Sequence, residues 1–141
     1  MDTWTGDRVR RTSDYEFFGL RWRPRSGALA DRLNSLPKYV VSSTLADPHW
    51  TNSTVLNVDE VSKLKQQLSG ELVVYGSREL VGTLMEHDLV DELRLFVFPV
   101  VLGAGERLFR ETSDKKALRL VDSRTLGDGI AFLTYEAVRD A

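Results

Sequence analysis

The chain has no cysteine among its 141 residues. Disulfides and thiolate metal sites are therefore excluded, which agrees with a reducing, cytoplasmic setting. Histidine is almost as scarce. His49 and His87 are the only two, and neither has metal-ligand spacing to a partner or a pairing with a nucleophile elbow. His87 is read more simply as a cation complementing a helix C-terminus. An excess of one charge sign is missing too. Nineteen basic and 21 acidic residues leave a net charge of −2, so no basic surface awaits nucleic acid. No apolar run approaches membrane-spanning length, and the opening MDTWTGDRVRR lacks the apolar region of a secretory signal. There is no internal repeat and no low-complexity tract. What remains is 42% hydrophobic and 28% charged, the balance of a soluble globular protein. The length suits one domain over 1–141, with 1–27 its least regular part.

The most informative stretch is Glu71 to Phe109. Leu72-Val73-Val74-Tyr75 has strand character, and Gly76-Ser77 follows at once. Leu80, Val81, Leu84 and Met85 then recur at helical spacing, ending at His87-Asp88, and Leu93 to Val101 reads as a second strand. A turn between strand and helix carries the helix's first free N–H groups, which attract phosphate. A glycine there lets a pyrophosphate approach without meeting a Cβ. On this pattern alone a plain turn with Ser77 as N-cap is the better reading.

Earlier in the chain, Tyr15, Phe17, Phe18 and Leu20 can form the apolar side of a short helix, broken by Pro24-Arg25-Ser26-Gly27. Leu29 to Leu36 predicts another helix. Lys38 to Val41 is a strand, with Ser42-Ser43-Thr44 at its carboxyl end, where ligands of open α/β sheets sit. From the residues alone an ordinary turn built on serine and threonine hydroxyls is the better reading there. Thr54 to Leu56 is a short strand. Asn57 to Leu68 is a helix with Asn57 and Glu60 as a capping box and Val61, Leu64 and Leu68 on one face. Gly103-Ala104-Gly105 is a second glycine loop without a helix pattern after it. Leu118 to Thr125 and Ile130 to Glu136 are strands joined by Leu126-Gly127-Asp128-Gly129, a hairpin signature. Asp91-Glu92 sits in a turn and reads as a solvated or ion-paired site.

The segment VVYGSRELVGTLMEHDLVDELRLFVFPVVLGAGERLF resembles the dihydrofolate-reductase-like family, in particular the branch containing the reductase domain of riboflavin biosynthesis. The resemblance extends from about Leu29 to Ala137. Val9-Arg10-Arg11-Thr12 resembles the family's basic, phosphate-contacting segment, with Val9 in place of a glycine and Ser13-Asp14 inserted. The family's first strand and first helix, and its second strand, find no counterpart in front of Arg10, as in an N-terminally truncated member. The resemblance implies an α/β, three-layer αβα fold, with a mixed, mostly parallel sheet and a C-terminal antiparallel hairpin. It implies NADPH as cofactor and a ribosylaminopyrimidine or pterin-like substrate. It implies cofactor contacts from Arg10, Arg11, Thr12, Ser42, Ser43, Val74, Tyr75, Gly76, Ser77, Arg78 and Leu80, with no catalytic residue named. A homodimer formed along Leu93 to Phe109 also follows from it. A non-catalytic nucleotide-binding or oligomeric remnant of the fold is the alternative. Hydride transfer needs orientation and exclusion of water more than a protein acid or base, so the lack of a catalytic motif does not oppose a reductase.

Overall fold

Asp7–Arg11 (β1) holds one valine among charged residues, yet it is the strand around which a parallel sheet is built. In the computed structural model, which describes residues 7–109 and 111–139 and the side chains from Tyr15 onward, β1 pairs with Lys38–Val41 (β2) on one side and Leu72–Val73 (β4) on the other. Ser53–Leu56 (β3) completes the order β3-β2-β1-β4. The helices are α1 (Thr12–Trp22), α2 (Ala28–Ser35), α3 (Val58–Gln67) and α4 (Arg78–Glu86). Residues up to Thr83 form one compact unit and those from Leu84 a second.

The first unit's core gathers Tyr15, Leu33, Val40 and Trp50, with Phe18, Trp22, Leu45 and Val55 against them. On α1 the inward stripe is Tyr15, Phe18, Gly19 and Trp22, which is a true helical spacing. This corrects the expected stripe, because Phe17 and Leu20 are 62% and 78% exposed. The rotation of α1 is set by Tyr15, whose hydroxyl accepts from the Trp50 backbone N–H at 2.5 Å. Trp50 is held at its other end, where Nε1 donates to Asn34 Oδ1 at 2.7 Å.

Lys38 is 1% exposed in the middle of this core. Its Nζ donates to the carbonyls of Leu33, Asn34 and Leu36 at 3.2, 3.0 and 2.7 Å. These belong to the end of α2, where carbonyls lack helical partners and the helix dipole favours a cation. The ammonium also lies 4.8 Å from the centre of the Trp50 ring. On α3 the expected capping box is present: the Asn57 N–H donates to Glu60 Oε2 at 2.7 Å.

The second unit carries an antiparallel sheet of β5 (Glu92–Val97), β6 (Leu118–Leu126) and β7 (Ile130–Ala137), in the order β5-β7-β6. The expected parallel strands and C-terminal hairpin are thus both present in a mixed α/β fold, and they are distributed over two sheets. The hairpin turn uses Gly127 and Gly129 at φ 49° and 103°, a region open to glycine. β5 stops at Val97, short of the expected Val101, because Pro99 offers no N–H to a ladder. One face of the sheet is charged. Arg94 pairs with Glu92, Arg119 with Glu136, and Arg124 with Asp122 at 3.0 Å.

The end of α4 is tied down locally. Glu86 accepts from the Ser113 hydroxyl at 2.7 Å, and bonds from that hydroxyl and the Ser113 N–H hold its carboxyl below the ordinary glutamate range. Arg139 donates to the carbonyls of Asp88 and Val90 at 2.9 and 3.3 Å and to Asp91 Oδ1 at 2.7 Å. Asp91 is therefore the ion-paired turn residue that its position suggested.

Candidate functional site at the carboxyl edge of the parallel sheet

The strand register brings the predicted site segments to one edge. Arg11 lies opposite Val41, and Val41 opposite Leu56. Thr12, Ser42 and Asn57 are thus the first residues past three neighbouring strand ends. On the other flank Arg8 lies opposite Val73. β4 ends at Val73, and Gly76-Ser77 follow shortly after it, past the carboxyl end of that strand. Beyond the strand ends, across the strand order, come Asn57, Ser42, Thr12 and the segment that leads to Ser77. Three of these positions open helices: α1 starts at Thr12, α3 at Val58 and α4 at Arg78. Helix N-termini present free N–H groups and a partial positive charge, so an edge with three of them favours an anion.

The connections locate the crevice. From β1 the chain moves outward through β2 to β3, and then places β4 on the opposite flank of β1. That reversal is a topological switch point, where open α/β sheets bind ligands beyond the carboxyl ends of their strands. It falls between Arg11-Thr12 and Gly76-Ser77.

The turn at Gly76-Ser77 has unusual backbone geometry. Gly76 adopts φ 66° and Ser77 φ 51°. A serine in that region carries roughly 1–3 kcal/mol of local strain. The Ser77 hydroxyl is also buried without a hydrogen-bond partner in the protein, and such a group costs about 1–3 kcal/mol more. Strain and an orphaned hydroxyl thus coincide at this turn beside the switch point. The Val81 N–H donates to the Ser77 carbonyl at 2.9 Å, so Ser77 stands at the N-cap position. A Cβ built on Gly76 would meet nothing within 4 Å, so the space above the turn is open.

The other predicted site residues divide by their surroundings. The Ser42 hydroxyl accepts from the N–H groups of Thr44 and Leu45 at 3.2 and 3.0 Å, so it shapes the loop. Ser43 beside it is exposed. Val74 and Tyr75 are half-buried. Arg78 pairs with Glu79 at 3.2 Å. Leu80 is 3% exposed and belongs to the core, so its side chain presents no surface to a ligand. Arg10, Arg11 and Thr12 are placed by backbone alone, and their side chains lie outside the described residues. Asn57, assigned only a capping role from sequence, shares the edge. Its capping signal was legible, but its place beside Ser42 depends on strand pairing.

The family model of the RibD C-terminal domain matches residues 8–132. The chain belongs to this family. Its curated relatives include two uncharacterized proteins of Bacillus subtilis strain 168. YyaP is 35% identical over 107 residues, covering 73% of this chain and 56% of YyaP. YwjB is 36% identical over 69 residues, covering 49% of this chain and 40% of YwjB. The chain therefore spans about half the length of the curated relatives it matches. A solved structure of a protein assigned to riboflavin biosynthesis in Shewanella sp. PV-4 aligns with TM-score 0.76 and 21% identity, over 99% of this chain and 81% of that one. A pyrimidine reductase-like protein of Corynebacterium diphtheriae aligns with TM-score 0.61 and 11% identity, over 96% and 76%. At these identities the two structures speak for the fold. The family match begins at residue 8, ahead of Leu29 where the resemblance in sequence begins, and a strand, β1, precedes the helix expected before Pro24.

Proposed function

We propose that this RibD C-terminal domain protein is an NADPH-dependent reductase, acting on a ribosylaminopyrimidine or pterin-like heterocycle in the manner of 5-amino-6-(5-phosphoribosylamino)uracil reductases. One observation carries the reading: three helix N-termini and the strained Gly76-Ser77 turn share the switch-point edge. The residues present fit a dinucleotide phosphate there. The N-terminal N–H groups of α4 and the Ser77 hydroxyl would hold the pyrophosphate. Ser43 would meet the adenosine ribose and its phosphate, while Ser42 keeps its loop in shape. Arg10 and Arg11 supply positive charge, and bonds between guanidinium and phosphate are among the stronger ones available. When bound, NADPH supplies the hydride. The chain's work is to orient the two reactants and exclude water, which is where much of the rate of such a reaction arises. We treat residues 1–141 as one domain working in the cytoplasm, and no described helix is long and apolar enough to cross a membrane.

The test is ligand-dependent stability. NADPH at a hundred times its dissociation constant should stabilise the fold by ~2.7 kcal/mol, a rise in melting temperature of roughly 8 °C. An unmoved melting temperature removes the cofactor assignment. Consumption of NADPH with the riboflavin-pathway intermediate then separates enzyme from remnant. Binding without turnover would favour a non-catalytic nucleotide-binding protein.

We also propose a homodimer. Phe96, Val97, Phe98, Val100, Val101 and Leu102 are all more than half exposed, in one continuous segment. Apolar surface concentrated in this way marks an interaction site.

A further inference from the structure

The irregular segment 111–117 leads into β6, and it is fastened by carboxylates 27 and 28 positions back along the chain. The Ser113 hydroxyl donates to Glu86 Oε2 at 2.7 Å, and the Ser113 N–H donates to both oxygens of that carboxylate at 3.2 Å. Three residues on, Lys116 Nζ donates to Asp88 Oδ1 at 3.0 Å. Within the segment the Thr112 hydroxyl donates to the Asp114 carbonyl at 2.8 Å. At the β6 end the Ala117 carbonyl accepts from the Val138 N–H at 2.9 Å.

Electrostatics explain why the fasteners sit here. α4 ends on Glu86, and the sequence of its last turn holds no basic residue. A helix C-terminus carries partial negative charge, so a carboxylate there is unfavourable and a cation is favoured. Asp88 adds a second carboxylate just past the helix, and Lys116 brings the cation from the segment. Ser113 and Lys116 face Glu86 across the contact, and Asp88 faces it from its own side. Lys116 in turn faces Asp88, Glu86 and Asp114. Arg139 reaches the Asp88 carbonyl.

We propose that the segment 111–117 is a strap which the ionised Glu86 carboxylate holds closed on the end of α4, and that protonation of Glu86 opens it. The bonds from Ser113 favour the ionised form, so in the closed strap Glu86 titrates below the ordinary glutamate range. Its hold is therefore complete above that range and is lost as pH falls through the lowered value. Lys116 responds in the opposite direction. Its bond to Asp88 lifts it above the ordinary lysine range, so its hold is lost as pH rises through the raised value. Between these limits both fasteners act. A hydrogen bond to a charged group is roughly twice as strong as one between neutral groups, so a protonated Glu86 holds Ser113 poorly.

Glu86→Gln keeps the shape of the side chain and removes its charge, and so reproduces the protonated state at neutral pH. Trypsin cuts after lysine once a segment opens locally, and at limiting protease the rate follows the open population. Cleavage after Lys115 and Lys116 should be about threefold to fivefold faster in Glu86→Gln than in the wild type, the effect of losing one exposed charged contact. Cleavage after Lys63 of α3 should be unchanged. Equal rates after Lys115 and Lys116 in the two proteins overturn the strap. A rise shared by the Lys63 site also overturns it, because the chain would then be unfolding as a whole. Should Glu86→Gln fail to fold, an NMR titration of the wild type decides. The Ser113 amide proton should shift together with the Glu86 carboxyl, in a step below the ordinary glutamate range. A Ser113 amide that does not follow that carboxyl overturns the proposal.

Discussion

Gly76→Val should abolish measurable NADPH binding while the circular dichroism spectrum stays that of the wild type. Gly76 adopts φ 66°, a conformation that a β-branched residue avoids. The strain costs about 1–3 kcal/mol, below the ~5–15 kcal/mol by which ordinary domains are stable. The fold therefore survives. The site does not, for two reasons. The valine side chain enters the open space above the turn, where no protein atom lies within 4 Å and a pyrophosphate would descend. Relief of the strain also rotates Ser77 and the first N–H groups of α4 away from the switch point. A loss of at least ~100-fold in affinity, about 2.7 kcal/mol, is expected by calorimetric titration. Gly76→Ala, with a smaller group at the same φ, should fall between wild type and valine. An unchanged titration in the valine variant would show that the turn is only a connector.

Lys38→Met should cost the fold about 1–3 kcal/mol, measured as a lower urea midpoint at constant slope. The methionine fills much the same volume. It leaves the carbonyls of Leu33, Asn34 and Leu36 without the donor that now satisfies all three. The bond to the Leu33 carbonyl is buried and those to Asn34 and Leu36 are part-buried, so the desolvation penalty falls mainly on Leu33. Arginine is no remedy, since its planar fork cannot converge on three carbonyls as an ammonium does. A loss below ~1 kcal/mol would mean that water reaches the end of α2 and replaces the ammonium. Lys38 lies at the start of β2, at the opposite end of that strand from Ser42. A folded Lys38→Met protein should therefore bind NADPH with unchanged affinity, which separates this variant from Gly76→Val.

Several elements were legible because their signals are local. The capping box of Asn57 and Glu60 fixes where α3 begins within a single turn of chain. The glycines at 127 and 129 supply the positive φ that a tight hairpin requires, and alternating apolar residues flank them. The apolar stretch at 39–41 and the Gly-Ser turn at 76–77 likewise declare themselves in a few residues. The resemblance to reductases of riboflavin biosynthesis rests on such short motifs.

Other features depended on partners distant in sequence. β1 has the composition of a solvated, arginine-rich edge, and it is a strand because β2 and β4 supply hydrogen bonds on both sides. The buried face of α1 follows from the bond between Tyr15 and the Trp50 backbone, across 35 positions of chain. Helical periodicity alone allowed Phe17 and Leu20 to seem equally good. Lysine is rarely buried, and nothing in the pattern around Lys38 announces that three carbonyls await it. The site itself is the clearest case. Sequence could nominate Ser42, Ser43, Gly76 and Ser77 singly, each with an ordinary turn as the better local explanation. Only parallel pairing in the order β3-β2-β1-β4 sets them beside Thr12 at one edge, because register is a property of strand pairs and never of one strand.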